Sequence, residues 1–115
     1  MAFNVDKINR RNTDITIVKG DTFIQVIKIY TDDLLLYIPD EGDRVTFNIY
    51  KRYTDAEPLF EREITDTMVF QMAAEETANL KIGNYVYTCK ITFEDGTVDT
   101  FLNGNFKIVT AEGVR

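Results

Sequence analysis

The segment from Tyr85 to Phe93 constrains the fold more than any other part of the sequence, because the polarity of its side chains alternates residue by residue. One parity is apolar throughout: Tyr85, Tyr87, Cys89, Ile91 and Phe93. A period of two is typical of a β-strand with one face on the core. The dipeptide Asp95-Gly96 then gives a strong hairpin signal. We therefore predict a β-hairpin whose return strand covers residues 97–109 and carries a bulge at Asn103-Gly104.

Shorter β-rich segments, separated by turn signals, precede this hairpin. The clearest strand covers residues 44–52 and places Val45, Phe47 and Ile49 on one face. The other predicted strands lie at 14–19, at 22–31, at 59–64 as a charged edge strand, and around an inward face of Met68, Phe70 and Met72. Only residues 73–80 have a helix-like composition, and they are too few for more than one helical turn.

This pattern predicts an all-β fold, because no predicted helix is long enough to connect parallel strands. We expect a single immunoglobulin-like β-sandwich of about seven antiparallel strands, with one short helical turn before the penultimate strand. A length of 115 residues fits one domain. The predicted organisation is an N-terminal arm at 1–13, the sandwich at 14–110 and a C-terminal tail at 111–115.

The side-chain inventory restricts the chemistry that the chain can perform. The sequence contains no His, no Ser and no Trp, which excludes serine triads, histidine general bases and His-containing zinc sites. Its one cysteine, Cys89, lies on the apolar parity with no basic residue on that face, so we interpret it as a small buried hydrophobe and not as a nucleophile. We predict that the chain is not an enzyme and needs no cofactor.

The loop at residues 32–43 is the candidate metal-binding site in the sequence. It holds five carboxylates, which could supply oxygens to Ca²⁺: Asp32, Asp33, Asp40, Glu41 and Asp43. Their spacing is not that of an EF-hand. We favour a solvated loop, and the sequence leaves the ion-binding alternative open.

Charge and hydropathy argue against nucleic acid and membrane as partners. The formal net charge is −6, whereas a nucleic-acid binder needs a basic face. No apolar run approaches the roughly 20 residues that span a bilayer. The N-terminus also shows neither the charged start nor the apolar stretch of a signal peptide. We therefore expect synthesis in a cytoplasm.

Residues 1–13 contain the basic cluster of the sequence and show no sustained apolar period. The segment holds three apolar side chains that could act as anchors and three cationic ones: Phe3, Val5, Lys7, Ile8, Arg10 and Arg11. A segment of this kind can order on a partner protein. We predict an assembly arm, and the alternative is an inert solvated tail.

The segment before the long alternating strand carries the most specific structural motif. Leu80, Gly83 and Tyr85 form the pattern Leu-x-x-Gly-x-Tyr. In a tyrosine corner, the hydroxyl of the tyrosine returns to upstream backbone and fixes the crossing between two sheets. We predict that these three residues stabilise the fold; a ligand-stacking role for Tyr85 is the weaker alternative.

The order of these motifs resembles a module of phage and prophage structural proteins. The resemblance covers roughly residues 14–110 and is carried by Ile15-x-Ile17-x-Lys19-Gly20-Asp21-Thr22-Phe23, Val45-Thr46-Phe47-Asn48-Ile49-Tyr50, Leu80-x-x-Gly83-x-Tyr85-x-Tyr87-x-x-x-Ile91, Asp95-Gly96 and Phe101-x-x-Gly104-x-Phe106-x-Ile108-Val109. It is similar to the N-terminal immunoglobulin-like domain of phage baseplate upper proteins.

The resemblance implies a non-enzymatic structural protein of a tailed-phage virion, placed in the tail, baseplate or neck. Such a protein is made in the cytoplasm of the bacterial host and assembles with other virion proteins and with copies of itself. Two alternatives stay open: a capsid decoration protein, or a module that binds a glycan or another component of the host surface. A virion subunit is expected to form a defined oligomer, whereas an adhesion module is expected to bind cells as a monomer.

Overall fold

A computed structural model of the chain describes residues 8–110, which fold mostly as β-strands with one short helix. In chain order the strands are β1 (Arg11–Asn12), β2 (Ile15–Val18), β3 (Phe23–Val26), β4 (Ile29–Tyr30), β5 (Leu36–Tyr37), β6 (Arg44–Tyr50), β7 (Phe60–Glu63), β8 (Val69–Met72), β9 (Gly83–Thr92) and β10 (Val98–Val109). The helix α1 (Ala74–Ala78) precedes the penultimate strand, where the sequence predicted a helical turn.

Six strands form one sheet, which we call the main sheet. Its order is β1-β10-β9-β6-β7, and β2 also pairs with β10 on the edge that β1 occupies. The predicted hairpin of β9 and β10 is confirmed and closes at Asp95-Gly96, where the Phe93 amide donates to the Thr97 carbonyl at 2.8 Å. Both β1 and β2 run parallel to β10, so the expectation of antiparallel strands throughout was wrong. Residue alternation predicts a strand but not the direction of its neighbour.

Two smaller sheets, β3–β8 and β4–β5, contribute side chains to the same core as the main sheet. The ring of Phe47 in β6 stacks on that of Phe70 in β8 with centroids 3.7 Å apart. An edge contact at 6.1 Å joins Phe23 of β3 to Phe106 of β10. The core lies between these layers, and the predicted inward side chains are buried in it: Val45, Phe47, Ile49, Phe70, Met72, Tyr85, Tyr87, Cys89, Ile91, Phe106 and Ile108. Met68, also predicted to face inward, is only half-buried.

Hydrogen bonds from β7 and from the turn between β2 and β3 fix the position of helix α1. The Glu76 carboxylate accepts from the Ala73 amide at 2.8 Å and from the Arg62 guanidinium of β7 at 2.6 Å. The buried Thr77 hydroxyl donates to the Asp21 carbonyl at 2.8 Å and accepts from the Gly20 amide at 3.0 Å. These bonds join the helix to the turn between β2 and β3, which explains how so short a helix persists.

The predicted bulge at Asn103-Gly104 was wrong. The pairing of β10 with β9 shifts between Thr100 and Leu102 instead. Gly104 has a different role, because a Cβ at this position would clash with the backbone carbonyl of Thr13. The glycine therefore allows the chain before β2 to lie directly against β10.

The N-terminal boundary at residue 14 was also placed too late. Arg11 and Asn12 pair with β10, and the Asn9 amide donates to the Tyr30 carbonyl at 2.7 Å. Arg10 donates to the Thr100 carbonyl at 2.9 Å, and Ile8 forms a bridge with Thr31. Backbone hydrogen bonds hold this segment, and they require no apolar period in its side chains. Of the predicted arm, Phe3, Val5 and Lys7 lie outside the described residues, as does the predicted tail at 111–115.

Candidate interaction surface

The tyrosine-corner residues make contacts within the fold. The Tyr85 hydroxyl donates to the Lys81 carbonyl at 2.6 Å, which is the upstream backbone bond that defines such a corner. Leu80 is half-buried against the core, and Gly83 adopts a φ of +151°. The ammonium of Lys51 lies 4.7 Å from the centroid of the Tyr85 ring. Since Tyr85 is only 5% exposed, its ring offers no open face to a ligand.

Cys89 is enclosed in the core at the centre of the main sheet. Burial raises the pKa of its thiol far above the ordinary value, and the positive charge of Arg11 opposes this only in part. The effect of Arg11 on Cys89 was not predicted from the sequence, because Arg11 belongs to β1 and not to the strand that carries the cysteine. A thiol held in the protonated form is a poor nucleophile.

The carboxylates of the loop at 32–43 do not converge on one point. The buried Asp43 carboxylate accepts from the Tyr37 hydroxyl at 2.8 Å and from the Asp40 amide at 2.9 Å. Burial and the bond to Asp43 raise the pKa of the Tyr37 hydroxyl. Within residues 8–110, no three acidic or cysteine side chains are arranged to hold a metal ion. Asp43 therefore orders the loop through its own backbone and the ring of Tyr37.

The same loop exposes an unusual run of aliphatic side chains. The exposed fractions are 71% for Leu34, 66% for Leu35, 53% for Leu36 and 66% for Ile38. Leu34 adopts a positive φ of 65°, a conformation that costs a residue with a Cβ about 1–3 kcal/mol. The sequence feature that corresponds to this exposed surface is the apolar run from Leu34 to Ile38, which lies between two acidic stretches. Apolar residues in a loop without a period predict neither a strand nor a helix, so their exposure was missed.

Two of these side chains, Leu36 and Ile38, line a cleft of about 660 Å³ that reaches β3. Val26, which is 55% exposed, lines this cleft together with Leu36, Ile38 and Met68. We call Val26, Leu34, Leu35, Leu36 and Ile38 the apolar end surface. Carboxylates border the cleft: Asp40, Glu41, Glu63 and Asp66. An apolar patch with a polar rim is the usual anatomy of a protein–protein contact.

Comparison with known sequences identifies no family for the chain. No protein-family model matches it, and no curated protein is similar to it in sequence. In the part of the chain that the structure describes, no helix is long and apolar enough to cross a membrane.

Proposed function

We propose that this chain is a non-enzymatic structural subunit of a tailed-phage virion, located in the tail, baseplate or neck, and that it assembles through protein–protein contacts. The apolar end surface is the observation that carries the proposal. Moving an aliphatic side chain completely from water into an apolar environment is favourable by about 1.5–3 kcal/mol, and Leu34 and Leu35, at 71% and 66% exposed, still have most of this gain to make. The free subunit forgoes this gain, whereas an assembled one obtains it.

The fold proposed for this subunit is an immunoglobulin-like sandwich. Three observations support it: the β3–β8 pair packs across the core from the main sheet, the Tyr85 hydroxyl returns to the Lys81 carbonyl, and β9 and β10 form a long hairpin beside β6. Together with the motif order from residue 14 to 110, they support the resemblance to modules of phage baseplates.

The apolar end surface favours a protein partner over a glycan. Its five members are aliphatic and offer no hydrogen-bonding groups to sugar hydroxyls. Desolvation of aliphatic side chains is instead typical of the buried centre of protein interfaces.

Mass spectrometry of purified phage particles from the bacterium that encodes the chain tests this function. The chain is expected in the particles at a fixed ratio to the other tail proteins. Its absence from particles, combined with binding of the isolated chain to host cells or host glycans, would replace the structural role with the adhesion alternative. Its presence in tail-less heads alone would indicate a capsid decoration protein.

A further inference from the structure

Within residues 8–110, no strand pairs with the second edge of β3. This strand pairs on its other edge with β8, in a two-stranded sheet. The Ile27 amide donates to the Met68 carbonyl at 2.9 Å, so residues of the same parity point their backbone groups toward β8. In an antiparallel ladder the residues between them point theirs away. The backbone groups of Ile24 and Val26 therefore face the open side, where the Gln25 side chain donates to the Val26 carbonyl at 3.1 Å.

The described part of the N-terminal segment, from Ile8 onward, covers the continuation of this edge but does not pair with β3. Ile8 bridges Thr31 and Asn9 bonds Tyr30, which covers β4. The chain then crosses to β10 at Arg11. A groove of about 340 Å³ remains between β3 and the segment that leads into β2. In it the Nε of Arg11 is buried without a hydrogen-bond partner among the described residues.

The two outer edges β3 and β7 differ in their protection. At the far end of the main sheet, β7 carries Glu61, Arg62 and Glu63, and charges on an edge strand discourage pairing with another chain. Residues 22–27 contain no charge. On β3, Ile24 is 59% exposed and Val26 is 55% exposed. Of these two edges, β3 is the one that combines outward backbone groups with exposed apolar side chains, which is the arrangement that accepts a further strand.

We propose that β3 pairs with β3 of a second copy of the chain, antiparallel and about a two-fold axis at Gln25. This joins two β3–β8 sheets into one continuous sheet. In this register Ile24 of each copy lies opposite Val26 of the other. Each such pair exchanges two backbone hydrogen bonds, and the Ile24 amide of the other copy replaces the Gln25 side chain as the donor to the Val26 carbonyl. The exposed side chains of these residues become apolar cross-strand pairs, which stabilise antiparallel strands.

Symmetry and charge favour a second copy as the occupant. A two-fold interface must be self-complementary, and the outward groups of Ile24 and Val26 satisfy this condition because they flank the axis evenly. The register also places Lys28 of one copy opposite Thr22 of the other, beside Asp21. Lys28 and Asp21 differ in parity, so their side chains do not form direct pairs; both are exposed, and antiparallel pairing brings these two oppositely charged ends of the segment near each other. They offset locally the repulsion between two chains of net charge −6.

This inference rests on the proposed assembly by protein contacts and adds the partner and the register. Sedimentation equilibrium of the full chain, from micromolar to millimolar concentration, is expected to show a monomer–dimer equilibrium. The double variant Ile24→Lys, Val26→Lys is expected to remain monomeric, while Leu59→Lys, at a site 57% exposed beside β7, is expected to dimerise like the wild type. A wild type that stays monomeric, or a double variant that still dimerises, would overturn the pairing.

A cysteine at the axis gives a second readout that does not depend on how well the lysine variant folds. Residues opposite each other in a non-hydrogen-bonded antiparallel pair have Cβ atoms about 4.5–5.5 Å apart, close enough for a disulfide after slight adjustment. Gln25→Cys is expected to form a disulfide-linked dimer on mild oxidation. Gln71→Cys, exposed on the adjacent strand away from the axis, is expected to stay unlinked. Equal linking of both variants would contradict the register. A monomeric chain that is nevertheless found in purified particles would refute β3 pairing and leave the structural role intact.

Discussion

The Tyr87 hydroxyl donates a hydrogen bond of 2.5 Å to the carbonyl oxygen of Thr13. Tyr87 is fully buried at the centre of the main sheet, where its ring stacks on that of Phe47 with centroids 5.0 Å apart. Thr13 follows directly after β1, and its amide donates to the Asn103 carbonyl at 2.9 Å. The segment before β2 is therefore tied to the core and to the edge of the sheet at the same residue.

Replacement of Tyr87 by phenylalanine tests this connection. The variant keeps the ring but leaves the Thr13 carbonyl without its donor, so the free energy of unfolding is expected to fall by about 1–3 kcal/mol. Tyr53→Phe is the matched control: its hydroxyl donates to the Gly104 carbonyl at 2.9 Å, but the residue is half exposed. We expect the control to lose less than about 1 kcal/mol, because water can replace the bond. Equal losses in urea denaturation would contradict the structural role of Tyr87.

Gly104→Ala tests the close approach of Thr13 to β10. The new Cβ would meet the backbone of Thr13, which has no flexible end to move aside, so the alanine must push the two segments apart. We expect a loss of about 1–3 kcal/mol and faster hydrogen exchange at the Thr13 amide. Gly96→Ala has open space around the new methyl group and a φ of +93°, so it is expected to lose stability through backbone strain alone. Unchanged exchange at Thr13 in the Gly104 variant would refute the contact.

Tyr85→Phe tests the tyrosine corner. The Lys81 carbonyl loses its donor at a site that is 5% exposed, so the expected cost is about 1–3 kcal/mol of unfolding free energy. Chemical denaturation measures this value directly. A change within about 0.3 kcal/mol would mean that the corner does not stabilise the fold.

The thiol of Cys89 provides a probe of the core. A thiol reagent is expected to label it slowly in the folded protein and rapidly in denaturant, because the residue is buried and its pKa is raised. Rapid labelling of the folded protein would contradict the position of β9.

The raised pKa of Cys89 also predicts a pH dependence of stability. In the unfolded chain the thiol ionises near the ordinary cysteine pKa of 9.0, whereas the folded protein holds it protonated. The folded state thus binds more protons at high pH, and stability contributed by this group is present below pH 9 and lost above it. We expect Cys89→Ala to be less stable at neutral pH but to lose less stability than the wild type between pH 8 and about pH 10.

The sequence predicted those parts of the fold in which side-chain alternation reports burial. The inward residues of β6 and β9 fall on one parity because one face of each strand lies on the core. Strand β1 was not predicted because backbone hydrogen bonds to β10 hold Arg11 and Asn12, and these bonds do not depend on the side chains. The bulge near Thr100 was not predicted either. Asn103-Gly104 looked like the site of a bulge, but the glycine is needed there because the Thr13 backbone lies against it.

The apolar end surface was not predictable from alternation. Leu34, Leu35 and Leu36 form an apolar run, and such a run fits a buried segment as well as an exposed one. Their exposure depends on the turn at Leu34 and on the bond between Tyr37 and Asp43, which fixes the loop from its other side. Long-range geometry of this kind has no local sequence signal.

Incorporation of a Leu35→Asp variant into particles tests directly whether the apolar end surface mediates assembly. The substitution adds a charge to the apolar end surface at a site that is 66% exposed, so the folded subunit should keep its melting temperature. Leu59→Asp, at a site 57% exposed and outside this surface, is the matched control. We predict that quantitative mass spectrometry of purified particles finds the Leu59 variant at the wild-type ratio and the Leu35 variant depleted at least tenfold. Equal incorporation of both variants would contradict a role of the apolar end surface in assembly.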